Sequence, residues 1–164
     1  MKNYDLITPE GTKDLLFGEC IIRRNIENTL LNLFKSRGYS EMITPGLEFF
    51  DVFNLKSRYF PQETLYKMTD SKGRLLVMRP DSTMPIARVV ATRLRDAVLP
   101  LKLCYNQTVY RNESALKGRS DETVQTGMFQ QFRQLACSFV VSQCRGHRVS
   151  ADFEQDFCLS RCHK

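Results

Sequence analysis

Residues 79–83 read Arg79-Pro80-Asp81-Ser82-Thr83, and residues 110–113 read Tyr110-Arg111-Asn112-Glu113. Each run follows an apolar stretch that predicts a strand, and the first run also precedes a predicted helix. A carboxylate and a hydroxyl at the start of a helix, beside an arginine at the end of another strand, suit a small zwitterion. Its amine would bind Asp81 and its anionic group would bind Arg111. The sequence therefore predicts an amino-acid pocket built from these two runs.

A simpler explanation of the same residues stays open at this point. Asp81 and Thr83 are of the types that cap helix N-termini, so they need not touch a ligand. Arg111 and Glu113 suit a surface ion pair, which contributes little to stability. The loop that follows contains Lys117, Gly118 and Arg119, whose cations suit a phosphate, and this loop favours the functional interpretation.

Composition and charge place the chain among soluble globular proteins. It has 164 residues, of which 42% are hydrophobic and 26% are charged, which is enough for one domain with a core. Its net charge of +6 is spread without a block of like charge, so a dedicated nucleic-acid tail is not predicted. We expect no secretory signal and no membrane span, hence a cytoplasmic protein with reduced cysteines.

The order of predicted elements indicates an α+β fold. We expect helices over residues 13–37, 47–53 and 85–96, and strands over residues 39–44, 65–69, 75–78 and 101–110 and from residue 122 onward. Thr12 or Asp14 would cap the first helix and Gly38 would end it, while residues 47–53 suit an extended stretch equally well. Hairpin strands beside two packing helices predict an antiparallel sheet with flanking helices, packed on one side.

The character of the chain changes after Gly127. We therefore divide it into a domain over residues 1–127 and a tail over residues 128–164, in which residues 129–140 predict an amphipathic helix. The tail holds four of the six cysteines and both histidines. Cys144-x-x-His147 and Cys158-x-x-x-Cys162 supply potential zinc ligands, but their spacing is not a familiar zinc pattern, so we expect no metal site.

Motifs of common enzyme classes are missing from the sequence. It contains no phosphate-binding Gly-x-x-x-x-Gly-Lys loop, no dinucleotide-binding Gly-x-Gly-x-x-Gly run and no Gly-x-Ser-x-Gly elbow. Both histidines fall in the tail, so a Ser-His-Asp triad is not predicted either. We expect no cofactor.

Several runs together resemble the histidyl branch of the class II aminoacyl-tRNA synthetases. Residues 7–15 resemble the amino-terminal signature of that branch. The long predicted helix and the residues 38–45 that follow it together resemble its motif 1. Residues 110–113, with Gly118-Arg119 and Gln125, resemble motif 2. The resemblance implies the N-terminal part of a class II synthetase-like catalytic domain. It also implies self-dimerisation through the motif 1-like region, which forms the dimer interface in that fold.

Within the branch, the Arg79–Thr83 run is more similar to ATP phosphoribosyltransferase regulatory subunits than to histidyl-tRNA synthetases, which usually carry Arg-Pro-Glu-Gly-Thr there. The resemblance implies a non-catalytic subunit that assembles with the short catalytic subunit of the first enzyme of histidine biosynthesis and takes part in feedback inhibition by histidine. By position, Asp81, Thr83 and Gln125 would hold the histidine-like ligand and Arg111 would meet its carboxylate. Glu113 and Arg119 would support the loop. The alternative is a fragment of a histidyl-tRNA synthetase, in which Arg111 would meet a phosphate and tRNA would be a partner.

The resemblance ends near Gly127. Family members carry a glutamate about two residues later, where this chain has Phe129. A shifted reading frame followed by an early stop would explain such a tail, and so would a genuine divergent segment. Under either explanation the pocket lacks walls, and we expect the function of the chain as written to be impaired.

Overall fold

The structure, a computed structural model, describes residues 4–54, 61–112, 120–133, 136–145 and 148–151. Within these ranges the α-helices are α1 (Gly18–Ser36), α2 (Asp51–Asn54) and α3 (Thr83–Thr92). The strands are β1 (Ser40–Glu41), β2 (Leu47–Phe49), β3 (Lys67–Thr69), β4 (Leu75–Met78), β5 (Leu101–Tyr110), β6 (Glu122–Arg133), β7 (Ala136–Arg145) and β8 (Arg148–Ala151). Short 3₁₀ turns cover Tyr4–Leu6 and Gln62–Thr64.

The strands form two sheets. The larger has the order β1-β5-β6-β7-β8, and the smaller has the order β2-β4-β3. The predicted α+β class and the predicted hairpin of β3 and β4 are confirmed. Among the strands of the described ranges, every pairing is antiparallel except that of β1 with β5, which is parallel. A parallel pair needs a long crossover, and the small sheet and α3 supply it here.

The register of β5 and β6 places the core and the polar site on one face of the large sheet. Leu103 lies opposite Phe129, and four residues further along β5 Gln107 lies opposite Gln125. Directly opposed residues share a face, so the apolar and the polar pair lie on the same side. Ile86 and Val90 of α3 pack on the apolar end. The polar end therefore comes to lie beside the first turn of α3.

The other face of the sheet receives the C-terminal end of α1. The Phe34 ring packs against Tyr39, with centroids 6.5 Å apart, and the Tyr39 hydroxyl donates to Gln130 Oε1 at 2.9 Å. Gln130 alternates with Phe129 along β6, so it points away from the core that α3 covers. The expectation that the helices pack on one side is therefore wrong. The amphipathic pattern of a helix predicts that it packs, but not on which face of a sheet.

The first helix begins later than the sequence predicted. It starts at Gly18, after Phe17 with a φ of 45°, and neither Thr12 nor Asp14 caps it. The Thr12 hydroxyl instead donates to the Pro9 carbonyl at 2.8 Å and closes a turn. The predicted end is confirmed, because Gly38 has a φ of 81° and its N–H donates to the Lys35 carbonyl at 3.0 Å.

Three further predictions of local structure need correction. Residues 47–53 form a strand, β2, and only then the short α2, and α3 ends at Thr92 rather than near Asp96. The predicted helix over residues 129–140 is wrong, since β6 continues to Arg133 and β7 pairs with it. Phe129 lies opposite both Leu103 and Phe139, so pairing between strands overrides the helical spacing. Strand β6 passes through the expected boundary after residue 127, and that boundary stays a prediction.

Across the described ranges, none of the helices combines the length and the apolar character that crossing a membrane requires.

Candidate ligand-binding site

Asp81 lies buried between the end of β4 and the start of α3, 7% exposed. Its Oδ1 accepts from the N–H of Thr83 at 2.7 Å and also from the Thr83 hydroxyl. The N-cap residue of α3 is Ser82, whose side chain makes no capping bond. Asp81, one residue earlier, binds the first N–H of the helix without being the N-cap residue. The Thr83 hydroxyl serves this arrangement by binding the carboxylate.

The second oxygen of Asp81 is held by Gln125 from the neighbouring strand β6. Gln125 Nε2 donates to Asp81 Oδ2 at 2.7 Å, and Gln125 Oε1 accepts from the N–H of Ser82 at 2.8 Å. Gln125 is fully buried. Both polar ends of its amide are thus used to orient the Asp81-Ser82 segment, which leaves the carboxylate in a defined position.

Arg111, directly after β5, brings a positive charge to the same place. Its Nη2 lies 3.5 Å from Asp81 Oδ2, and its Nε donates to the Pro80 carbonyl at 2.8 Å. The structure therefore brings together four of the residues that the sequence predicted: Asp81, Thr83, Arg111 and Gln125. Glu113 and Arg119 lie outside the described residues. A buried carboxylate next to a guanidinium offers one partner for an amine and one for a carboxylate.

Arg79 fixes this arrangement to the sheet. Its buried guanidinium donates to the carbonyls of Thr44 at 2.8 Å and Thr108 at 2.6 Å, and it also contacts Gln107 Oε1. Burial lowers the pKa of the Arg79 guanidinium. These bonds tie the segment before Asp81 to β5 and to the loop after β1, so the position of Asp81 is set by tertiary contacts.

Three buried polar side-chain atoms in this part of the fold make no hydrogen bond to a described residue. They are Ser82 Oγ, the Tyr105 hydroxyl and Gln107 Nε2. Burial, and secondarily the negative charge of Asp81, raises the pKa of Tyr105 well above its ordinary value. Buried polar groups are normally paired, and Ser82 directly follows Asp81 in the chain, so Ser82 Oγ is unused hydrogen-bonding capacity beside that carboxylate.

Sequence reasoning missed a second group of residues that borders Arg111. The Tyr66 hydroxyl donates to Asp121 Oδ2, and the Asp121 N–H donates to the Gly11 carbonyl at 2.7 Å. The hydrogen bond to Asp121, together with burial, raises the pKa of Tyr66 to about 12. The sequence did draw attention to Gly11, which lies in the run that resembles the family's amino-terminal signature. Nothing in the local sequence marks Asp121 or Tyr66 as part of a site.

No cluster of three or more potential metal ligands occurs in the part of the chain that the structure describes. His147, Cys158 and Cys162 of the potential zinc set lie outside it.

Comparison with known proteins shows which family and which proteins this chain is similar to. The sequence model of the histidyl-tRNA synthetase family matches residues 11–128. The ATP phosphoribosyltransferase regulatory subunits of Clostridium kluyveri and Clostridium acetobutylicum are each 48% identical over 128 residues, which is 78% of this chain and 33% and 31% of theirs. The chain thus spans about a third of the length of these curated relatives.

Solved structures show the same similarity. An ATP phosphoribosyltransferase regulatory subunit/histidyl-tRNA synthetase from Bacillus halodurans C matches with a TM-score of 0.70 and 32% identity, over 79% of this chain and 33% of that one. The apo histidyl-tRNA synthetase of S. aureus matches with a TM-score of 0.62 and 26% identity, over 76% of this chain and 33% of that one. This chain therefore belongs to the histidyl-tRNA synthetase family, with a class II synthetase-like fold and curated relatives that are ATP phosphoribosyltransferase regulatory subunits.

Proposed function

We propose that this chain serves as part of an ATP phosphoribosyltransferase regulatory subunit that binds histidine for feedback control. The observation that carries the proposal is the buried Asp81 carboxylate with Arg111 Nη2 at 3.5 Å. The names of the relatives at 48% identity support the regulatory assignment.

The geometry suits an amino acid that is bound and not converted. The α-amine of histidine would donate to Asp81, and its carboxylate would accept from the Arg111 guanidinium. Gln125 and Thr83 would keep Asp81 in place, with Glu113 and Arg119 supporting the loop. An effector needs no nucleophile and no general base, so this role is non-catalytic and needs no cofactor.

Titration of the chain with L-histidine, followed by two-dimensional NMR, tests the binding step. We expect shifts at the amides of Ser82, Thr83 and Gln125. Histidinol, which lacks the carboxylate, should bind more weakly, and imidazolepropionate, which lacks the amine, should also bind more weakly. Absence of shifts at the highest histidine concentration would reject histidine binding by this chain.

Variants of Asp81 and Arg111 test which charged group of histidine each residue binds. Asp81→Asn should weaken histidine binding at least ~10-fold, because the amine loses its anionic partner. Arg111→Met should abolish the preference for histidine over histidinol. Asp96→Asn and Arg95→Met, at exposed positions near the end of α3, are the matched controls and should bind as the parent does.

Assembly with the short catalytic subunit tests the regulatory role. We expect the two chains to co-elute in size-exclusion chromatography and histidine to lower the phosphoribosyltransferase activity of the mixture. Separate elution at micromolar concentrations would count against the partnership.

Self-association through the motif 1-like region is the second assembly that we propose. Ile22, Ile26 and Leu33 of α1 form a stripe at helical spacing and are 62%, 47% and 44% exposed. A second copy that covered this stripe would remove apolar surface from water.

The alternative is synthetase chemistry, which the family model favours because it describes histidyl-tRNA synthetases. In that case Arg111 would bind a phosphate of ATP and tRNA would be a partner. Histidine-dependent exchange of pyrophosphate into ATP distinguishes the two functions, since a regulatory subunit should give no exchange above background.

We also propose a cytoplasmic location and a division after residue 127, with residues 128–164 as a tail outside the family part. The family match ends at residue 128, which supports this division. Translation of the nucleotide sequence around codon 128 in all three frames tests the origin of the tail. A family-like continuation in another frame would support a frameshift, and its absence would support a divergent segment.

A further inference from the structure

The backbone of Arg111 is held at three successive positions. The N–H groups of Tyr110, Arg111 and Asn112 donate to the carbonyls of Arg79 at 2.9 Å, Asp121 at 2.8 Å and Thr64 at 2.9 Å. These acceptors belong to three separate segments of the chain. The placement of the Arg111 side chain therefore depends on the positions of all three.

Asp121, one of these three acceptors, makes further contacts of its own. It is buried, its N–H donates to the Gly11 carbonyl at 2.7 Å, and its Oδ2 accepts from the Tyr66 hydroxyl. One residue thus joins the turn before α1, the segment leading into β3, the end of β5 and the start of β6.

Gly11 fits this contact because it lacks a side chain. It has a φ of 78°, and a Cβ at this position would lie 2.5 Å from Asp121 Cγ. A larger residue would be strained and would push the carboxylate away. The Ser120 hydroxyl also donates to the Gly11 carbonyl, at 2.9 Å, so the turn is held against β6 twice.

We propose that Asp121, fastened by Tyr66 and Gly11, positions Arg111 and thereby sets the affinity of the site for the carboxylate of its ligand. This inference rests on the proposed amino-acid site. It assigns Asp121, Tyr66 and Gly11 to the carboxylate end of the ligand, while Gln125 and Thr83 serve the amine end. The turn before α1 is coupled to ligand binding through the same contacts.

Histidine and histidinol separate this role from a merely structural one. Tyr66→Phe removes the hydroxyl that holds Asp121, so the parent's preference for histidine over histidinol should fall by about fivefold or more, with histidinol affinity unchanged. Gly11→Ala should have the same effect by displacing the carboxylate. Tyr39→Phe is the matched control, because it removes a hydroxyl bonded to Gln130 on the opposite face of the sheet.

The unaltered chain provides a second measurement that does not depend on a variant folding. Histidine, and not histidinol, should slow hydrogen exchange at the amides of Arg111 and Asp121, which donate within this group of contacts. Two results would overturn the positioning role alone. One is that Tyr66→Phe loses equal affinity for histidine and for histidinol, and the other is that both ligands slow hydrogen exchange at these amides equally. Failure of the parent to bind histidine would overturn the proposed function together with it.

Discussion

Gln125 holds both the side chain of Asp81 and the peptide N–H that follows it. Its Nε2 donates to Asp81 Oδ2 at 2.7 Å while its Oε1 accepts from the Ser82 N–H at 2.8 Å. A strand residue therefore determines the orientation of a carboxylate at the start of a helix 44 positions earlier in the chain. The stability of the site and its recognition of an amine depend on the same two bonds.

Replacement of Gln125 by alanine should lower the free energy of unfolding by about 2–3 kcal/mol, because the Asp81 carboxylate and the Ser82 N–H lose buried partners. Urea denaturation measures the change. Gln130→Ala is the control. Gln130 is half-buried and accepts a bond from Tyr39, so its replacement should lower the free energy of unfolding by less. An equal cost for the two variants would contradict the anchoring role of Gln125.

Arg79→Lys should be destabilising by at least about 2 kcal/mol, although it keeps the charge. The lysine ammonium cannot reproduce the planar set of bonds to Thr44 and Thr108, and buried acceptors are then left unpaired. Arg93→Lys, at an exposed position on the same stretch of chain, should change stability by no more than about 0.5 kcal/mol. Similar denaturation midpoints for both variants would refute this expectation.

Tyr105→Phe should raise the free energy of unfolding by about 1 kcal/mol, because it removes a buried hydroxyl that lacks a partner among the described residues. Thermal and urea unfolding of the parent and the variant provide the comparison. A loss of stability of similar size would mean that the hydroxyl is hydrogen-bonded outside the described ranges.

The raised pKa of Tyr66 leads us to expect a loss of folding stability at alkaline pH. Its folded pKa of about 12 lies above its ordinary value of 10.0, so its neutral form is favoured in the folded chain. The stabilisation is complete below pH 10 and is lost as the pH rises towards 12. The difference in unfolding free energy between the parent and Tyr66→Phe should therefore shrink over this window. A constant difference from pH 8 to 12 would argue against the bond to Asp121.

A charge in the exposed stripe of α1 should disrupt self-association. Ile26→Asp should shift the chain towards monomer in sedimentation velocity, because the covering copy would have to bury a carboxylate. Asn28→Asp adds the same charge to another, exposed face of α1 and is the control. Identical sedimentation of the parent and both variants would remove α1 as the interface.

Local residue chemistry already determined much of this protein. The Gly38 end of α1, the hairpin of β3 and β4, the long strand β5 and the α+β class all follow from turn residues and apolar spacing, which act over a few positions. The order of the motif-like runs also indicated the family. The structure brings Asp81, Thr83 and Arg111 together because a strand end and a helix start place polar groups at the same edge. Gln125, inside β6, was indicated by the family resemblance, and the ligand-binding role of the four residues stays a prediction.

Tertiary structure decided what depends on residues far apart in the chain. The face of the sheet on which α1 packs, the parallel pairing of β1 with β5 and the strand conformation of residues 129–133 are set by partners that no local pattern identifies. The same holds for Asp121, whose bonds to Gly11 and Tyr66 span 110 and 55 positions. Sequence spacing specifies which side chains are available, and long-range hydrogen bonding determines which of them hold Asp81 and Arg111 within 3.5 Å of each other.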